Sequence, residues 1–452
     1  MGRLPALLLV CACVKSAPRP VPMPQGTPLE LQLQGTAKVL CSAVFVSQRS
    51  PLEAWENSAR GSWLEPDAGA TWAVDVPGQR VRVSAGGVTR SAGLHPDQGC
   101  IVGEALHFTP QRVPKRLPDA ETTPWPMGDL VPDAGGGPDL HAALDAAFAD
   151  PEAYTAAFIV VHRGRIVAER YGQGATRETP LESWSMGKSL TATLLGLLVK
   201  DGVYDVNAPA PVERWANDGR RAIRIIDLLH MSSGLEFRSS HDPDWKPEYG
   251  VADHSYIYTG GVDVFEYALD KPPQFPPDTE GRYRNSDPLI IGWLVKRAAG
   301  EQYLQWPQRR LFDRLGMRNM VLETDPYGNF LLTGHDYGSA RDWARLGLLY
   351  QQDGVWEGER LLPEGWTRLV STPAPAWRKP EYGGLFWLNR TRELDLPESA
   401  YSMVGAGGQR VIIVPEHELV IVRMGHSRGW PKGKQSLNAA LREVMRALAP
   451  AR

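Results

Sequence analysis

Cysteine is scarce in this sequence: four in 452 residues, at positions 11, 13, 41 and 100. No pair has CxxC spacing, and Cys41 and Cys100 cannot close a zinc site by themselves. The ten histidines show no His-Glu-x-x-His or other ligand spacing, so neither a metal nor a cofactor is expected. A long apolar run is also missing near the start. The stretch Leu4 to Val14 is too short to cross a bilayer, which needs about 20 residues. Neither sign of charge dominates: 49 Lys and Arg face 52 Asp and Glu, for a net charge of -3. That balance gives no reason to expect a nucleic-acid partner. No internal repeat is visible.

What is present is globular. Apolar residues make up 42% and charged residues 22%, and the length allows two or three domains of roughly 150 residues. The 45 Gly and 38 Pro imply many turns and some linker.

The first 17 residues read as an export signal, one Arg followed by the apolar run. Val10-Cys11-Ala12-Cys13 resembles a bacterial lipoprotein box, with cleavage before a lipid-bearing Cys13; the alternative is a plain secretory signal cut near Ala17. Either reading places the protein outside the cytoplasm, in the bacterial periplasm or cell envelope. There Cys41 and Cys100 are expected to pair, and closing that loop would contribute about 4 kcal/mol. The alternative is two separately buried thiols.

A Pro-rich tether, 18–28, leads to a small β-rich module over 29–117, with strand-like alternation at Lys38–Ser47 and Arg80–Ser84. Residues 118–138 form a linker, ending in Ala134-Gly-Gly-Gly-Pro138. From Asp139 sheet and helix alternate to the end of the chain. Phe158–Val161 and Ile166–Ala168 read as one hairpin, Val411–Val414 and Leu419–Val422 as another. A helix over Met186–Lys200 is apolar on nearly every face and should be buried. Another begins at Pro288, capped by Ser286 or Asp287. A last amphipathic helix presents Leu437, Leu441, Val444 and Leu448 on one side. The expected class is α+β: an antiparallel sheet with the two terminal hairpins adjacent, flanked by helices.

The chemistry concentrates at three places. Ser185-Met-Gly-Lys188 is a Ser-x-x-Lys motif at the start of the buried helix, and Lys188 one turn on returns to the side of Ser185. A serine needs a base within reach, and a desolvated lysine can serve. Tyr283-Arg-Asn285 lies 98 residues downstream, just before a helix, where a phenol can pass protons and Asn285 can hold Lys188 and a substrate carbonyl. The stretch Gly405-Ala-Gly-Gly-Gln409 lets backbone approach a substrate, so that an N–H there can join the Ser185 N–H in an oxyanion hole.

With these three in this order, the chain resembles the serine β-lactamase and penicillin-recognising superfamily, and within it the class C-like branch of family VIII carboxylesterases and 6-aminohexanoate-dimer hydrolase. The resemblance extends through Asp227–Gly234 and Ser339–Gly347 and covers about residues 140–452. The segment with Leu40–Val46 is similar to a leader domain on some of these hydrolases. The resemblance implies a helical lobe beside an α/β lobe, Ser185 as acylated nucleophile, and Lys188 and Tyr283 as general base and acid. Ala406 would then be the second oxyanion donor, followed by Gly407, Gly408 and Gln409. One departure matters. Where the family has Lys-Thr-Gly, or a His variant, this chain has Met403-Val404-Gly405, which removes a cation that would meet a substrate carboxylate. A small ester or amide is therefore the expected substrate. A β-lactam or D-alanine peptide would need Arg410, His426 or Arg428 to supply the charge, and a non-catalytic binder on the same fold is the third reading. The aromatic stretch Trp245–Tyr258 is expected as a lid or pocket wall, or as packing between lobes.

Overall fold

The computed structural model describes residues 24–131, 139–172, 174–426, 428 and 432–448. The leader with Cys11 and Cys13, most of the tether, and the Ala134–Pro138 glycine run lie outside the described residues. Among the described residues no helix is long and apolar enough to cross a membrane.

The larger part is built on a six-stranded antiparallel sheet. From one edge its strands are Trp387–Leu388, Tyr401–Gly405, Gln409–Val414, Leu419–Gly425, Thr155–His162 and Arg165–Tyr171. Leu419–Gly425 pairs directly with Thr155–His162, with Val420 opposite Val161 and Val422 opposite Ile159. The two expected hairpins are thus neighbours. Both faces of the central strands are covered, which is why they read as continuous apolar runs. Ile159, Val161, Val411 and Val420 join a core with the Met186–Lys200 and Ala340–Gln351 helices. Phe158, Val160, Ile412 and Ile421 face Leu144 of His141–Phe148 and Leu437, Leu441 and Val444 of Lys432–Leu448. The second lobe is helical, with Ser286–Ala299 and Val264–Leu269 around Met186–Lys200.

The Ser286–Ala299 helix begins two residues earlier than expected, and Asn285 occupies its N-cap position. The Ser339–Gly347 segment opens the Ala340–Gln351 helix. There the Ser339 hydroxyl and the Asp342 carboxylate form a reciprocal capping box, which ties down donors that a helix start leaves open.

The amino-terminal module corrects one expectation. The strand at Arg80–Ser84 is present, in a four-stranded antiparallel sheet over Thr71–Asp75, Arg80–Ala85, Val88–His95 and Gly99–Val102. Lys38–Ser47 is instead helical, the end of Pro28–Cys41 and a wider turn over Ser42–Val46. The deciding signals lie upstream, where Thr27 and Glu30 make a capping box and Pro28 takes the first helical position. Leu33, Ala37, Val39 and Leu40 then bury against Val81 and Val83 of the sheet. Cys41 and Cys100 form a disulfide that staples helix to sheet.

Candidate active site

Ser185 follows a sharp turn. Ser183 N–H donates to the Asp336 carbonyl (3.0 Å), and Trp184 adopts φ +47°, a left-handed conformation that costs an L-residue about 1–2 kcal/mol. Such strain persists where the surroundings dictate it. Ser185 is the N-cap residue of Met186–Lys200, yet its hydroxyl makes no capping bond. It accepts a hydrogen bond from Lys188 Nζ at 3.0 Å instead.

Lys188 is buried, 1% exposed. Its Nζ also donates to the Thr333 carbonyl (2.9 Å) and lies 4.9 Å from the centre of the Tyr283 ring. Burial pushes the ammonium down to about 7, with the nearby Asp336 carboxyl opposing the shift. An ordinary solvated lysine is excluded at this position. The Tyr283 hydroxyl hydrogen-bonds with Ser185; burial raises the phenol, and the bonds with Ser185 and Trp387 oppose that. Its ring is boxed by Tyr382 at 5.9 Å and Trp387 at 5.4 Å. The Asp227–Gly234 segment supports this loop from behind. Arg282 N–H donates to the Met231 carbonyl (3.0 Å), and Ser233 Oγ donates to Asp287 (2.7 Å).

Asn285 is present but differently engaged from the expectation. Its Nδ2 donates to the His254 carbonyl (3.1 Å) and to Tyr258 Oη (3.2 Å), while Oδ1 has no partner. The Thr333 carbonyl takes the role on Lys188 that the sequence suggested for Asn285. Tyr258, in turn, donates to Thr333 (2.8 Å to Oγ1), so the second tyrosine belongs to the wall of the site. A second Tyr-x-Asn triplet in the chain, Tyr327-Gly-Asn329, lies apart, with Asn329 Nδ2 donating to Asp325 Oδ2 (2.8 Å) and Tyr327 stacked on His107.

The third element closes the site from the sheet side. A Cβ on Gly405 would stand 2.0 Å from the Ser183 carbonyl oxygen, so only glycine lets this strand reach the turn before Ser185. Ala406 follows, exposed, and then Gly407 and Gly408 with φ of +73° and +77°. Arg423 Nη1 donates to the carbonyls of Gly407 (2.9 Å) and Gly408 (3.0 Å). Gln409 is bound to Gly425, whose N–H donates to Oε1 at 2.8 Å. Arg423 and Gln409 therefore shape this turn rather than line it. Met403 is fully buried in the core. Arg410 pairs with Glu393 at 3.0 Å, His426 lies 3.8 Å from Glu53, and Arg428 lies 3.6 Å from Glu56.

Sequence reasoning missed two contributors, the Thr333 carbonyl and Trp63, whereas Tyr258 ends the aromatic stretch expected as a lid, a pocket wall or packing between lobes. Trp63 comes from the amino-terminal module, its ring centre 6.2 Å from that of Trp184 and 6.1 Å from that of Tyr258. No local pattern marks a residue that reaches a site from another module.

A family model described as Beta-lactamase matches residues 141–446. The chain belongs to the beta-lactamase family. It is a serine hydrolase of that family. A 6-aminohexanoate-dimer hydrolase of Paenarthrobacter ureafaciens is 24% identical over 381 residues, 76% of this chain and 93% of the relative. Among solved structures, a penicillin-binding protein homologue from Caulobacter crescentus superposes with a TM-score of 0.53 at 16% identity, covering 68% of this chain and 98% of that one. A family VIII carboxylesterase gives 0.52 at 17% identity, again 68% and 98%. These two likenesses establish the beta-lactamase fold, the α+β arrangement expected from the sequence.

Proposed function

We propose that this beta-lactamase family member hydrolyses a small ester or amide through an acyl-enzyme on Ser185. The observation that carries the reading is the buried Lys188 Nζ, 3.0 Å from Ser185 Oγ, with its proton held to about 7. Uncharged Lys188 accepts the hydroxyl proton as Oγ bonds to the carbonyl carbon. Tyr283, whose ring centre lies 4.9 Å from Lys188 Nζ, relays that proton to the leaving alcohol or amine. The N–H groups of Ser185 and Ala406 meet the oxyanion. Water then cleaves the acyl-enzyme with the same groups in reverse order.

Arg410, His426 and Arg428 all face acids elsewhere and Met403 is in the core, which favours an uncharged substrate end over the carboxylate of a β-lactam or a D-alanine peptide. The leader and the Cys41–Cys100 disulfide support export to the bacterial envelope, with Cys13 as the lipid attachment point.

Replacing Ser185 by Ala abolishes turnover of a p-nitrophenyl ester and labelling by a fluorophosphonate, with the fold unchanged. Undiminished turnover would overturn the reading. A panel of short esters, amides and one chromogenic cephalosporin separates the substrate classes. A stable adduct with no turnover on any of them would favour the binding-protein reading. Mass spectrometry of the mature amino terminus distinguishes a lipidated Cys13 from cleavage near Ala17.

A further inference from the structure

Behind Ser185 lies a buried carboxyl that the acyl-enzyme steps do not use. Asp336 is fully buried and opens a three-residue strand, Asp336–Gly338, paired on one side with Leu181–Glu182 and on the other with Val321–Leu322. Neither side-chain oxygen has a hydrogen-bond partner. A Cβ on Gly187 would stand 1.8 Å from Asp336 Oδ2, so the carboxyl rests on the backbone between Ser185 and Lys188. The same segment supplies the Thr333 carbonyl to Lys188 Nζ.

An unpartnered carboxyl in such a place is costly, and packing the same strand with an apolar residue would avoid the cost. Its neighbours explain how it is held. Glu323 approaches from one side, but its own oxygens are taken by Lys38 Nζ (2.7 Å), Ser42 Oγ (2.6 Å) and Cys100 N–H (2.8 Å). His335 and Glu182 lie against each other at 3.0 Å. Burial holds this imidazole down to about 3 and the Glu182 carboxyl up to about 8, so both are uncharged near pH 7. On the other side Lys188 is faced by Ser185, Tyr283 and the buried His254, an imidazole that burial and the Lys188 charge keep neutral. Lys188 is thus the catalytic charge that Asp336 meets.

We propose that Asp336 is a positioning residue for Lys188, its buried carboxyl on the Ser185–Lys188 turn governing how tightly Lys188 holds its proton. The proposal rests on the acyl-enzyme reading. Direction follows from electrostatics: an ionised Asp336 favours charged Lys188, a neutral one does not. Burial and the Glu323 charge keep Asp336 well above the usual carboxylate range, while Lys188 and Lys38 pull the other way. Lys38 and Glu323 therefore act on Lys188 at one remove, through Asp336, and the amino-terminal module takes part in tuning the base.

The test is the pH dependence of kcat/KM for a short p-nitrophenyl ester with the full chain. Asp336→Asn keeps the shape and removes the charge, and its acidic limb moves to lower pH by about half a unit or more. Glu323→Gln removes a neighbouring charge that opposes ionisation of Asp336, so a larger share of Asp336 is ionised beside Lys188 and the limb moves to higher pH. Opposite shifts from two neighbouring carboxyls are not what a purely structural role produces. An Asp336→Asn limb at the parent position, or shifts of both variants in one direction, overturns the proposal. Should one variant fail to fold, the sign of the other decides. If Ser185→Ala is inert while the Asp336→Asn limb is unmoved, the acyl-enzyme reading stands and this inference alone falls.

Discussion

Lys38 and Glu323, 285 residues apart in sequence, form a salt bridge of 2.7 Å with both side chains almost wholly buried. One belongs to the first helix of the amino-terminal module and the other to the catalytic domain. Lys38 also donates to the Cys100 carbonyl, so the pair sits beside the disulfide. Breaking such a pair leaves a buried charge alone. Lys38→Met is expected to cost about 3–5 kcal/mol, read by urea denaturation. The double variant Lys38→Met with Glu323→Gln recovers part of that loss, since no uncompensated charge remains.

Tyr283 touches Ser185 and is held by Trp387 and Tyr382. Tyr283→Phe keeps the ring in its aromatic box and removes only the hydroxyl. The fold is expected to be unchanged and kcat/KM to fall by about 10²–10⁴. A loss within a factor of three in steady-state ester hydrolysis would remove Tyr283 from the proton path.

Lys188 gives the pH dependence. Its proton is lost near pH 7 in the folded chain and near 10.4 when unfolded. The proposed acyl-enzyme route needs the uncharged amine, so it predicts that kcat/KM rises with pH and reaches half its plateau near 7. Stability follows the same shift. Between about pH 7 and 10.4 the unfolded chain binds more protons than the folded one, so stability increases with pH through that window. Below pH 7 the full cost of burying the ammonium is present. Lys188→Met therefore abolishes turnover while stabilising the protein at neutral pH, by about 1–4 kcal/mol, measurable as a higher denaturation midpoint.

Gly405 is a steric prediction. A methyl group there meets the Ser183 carbonyl oxygen at 2.0 Å, so the Tyr401–Gly405 strand must retreat from the turn carrying Ser185. Gly405→Ala is expected to lower the fluorophosphonate labelling rate by about 10², the usual effect of an ångström of misplacement. Its cost in stability is about 1–3 kcal/mol, compared by thermal melts.

How much of this could be read in advance depended on distance along the chain. Ser185 and Lys188 are one helical turn apart, and the apolar run behind them announces a buried helix, so their meeting was legible. Tyr283 was legible through its place before a helix. The hairpins showed as paired apolar runs. Lys38–Ser47 misled because its run of Val, Leu and Phe mimics a strand, while the capping signals at Thr27 and Glu30 stand outside that stretch, upstream of it. Asp336 and Thr333 were invisible. Each reaches the site through tertiary packing, and nothing in its neighbours' spacing marks it.

The central sheet has a consequence for biosynthesis. Leu419–Gly425 is inserted between Gln409–Val414 and Thr155–His162, so a strand made early waits for a partner made more than 250 residues later. Pairings of such long sequence separation fold slowly. A ribosome has nearly finished translating before the central strand order can close. During that interval Phe158, Ile159, Val160 and Val161 lack the partner strand they have in the finished sheet, the kind of unpaired apolar edge that favours aggregation.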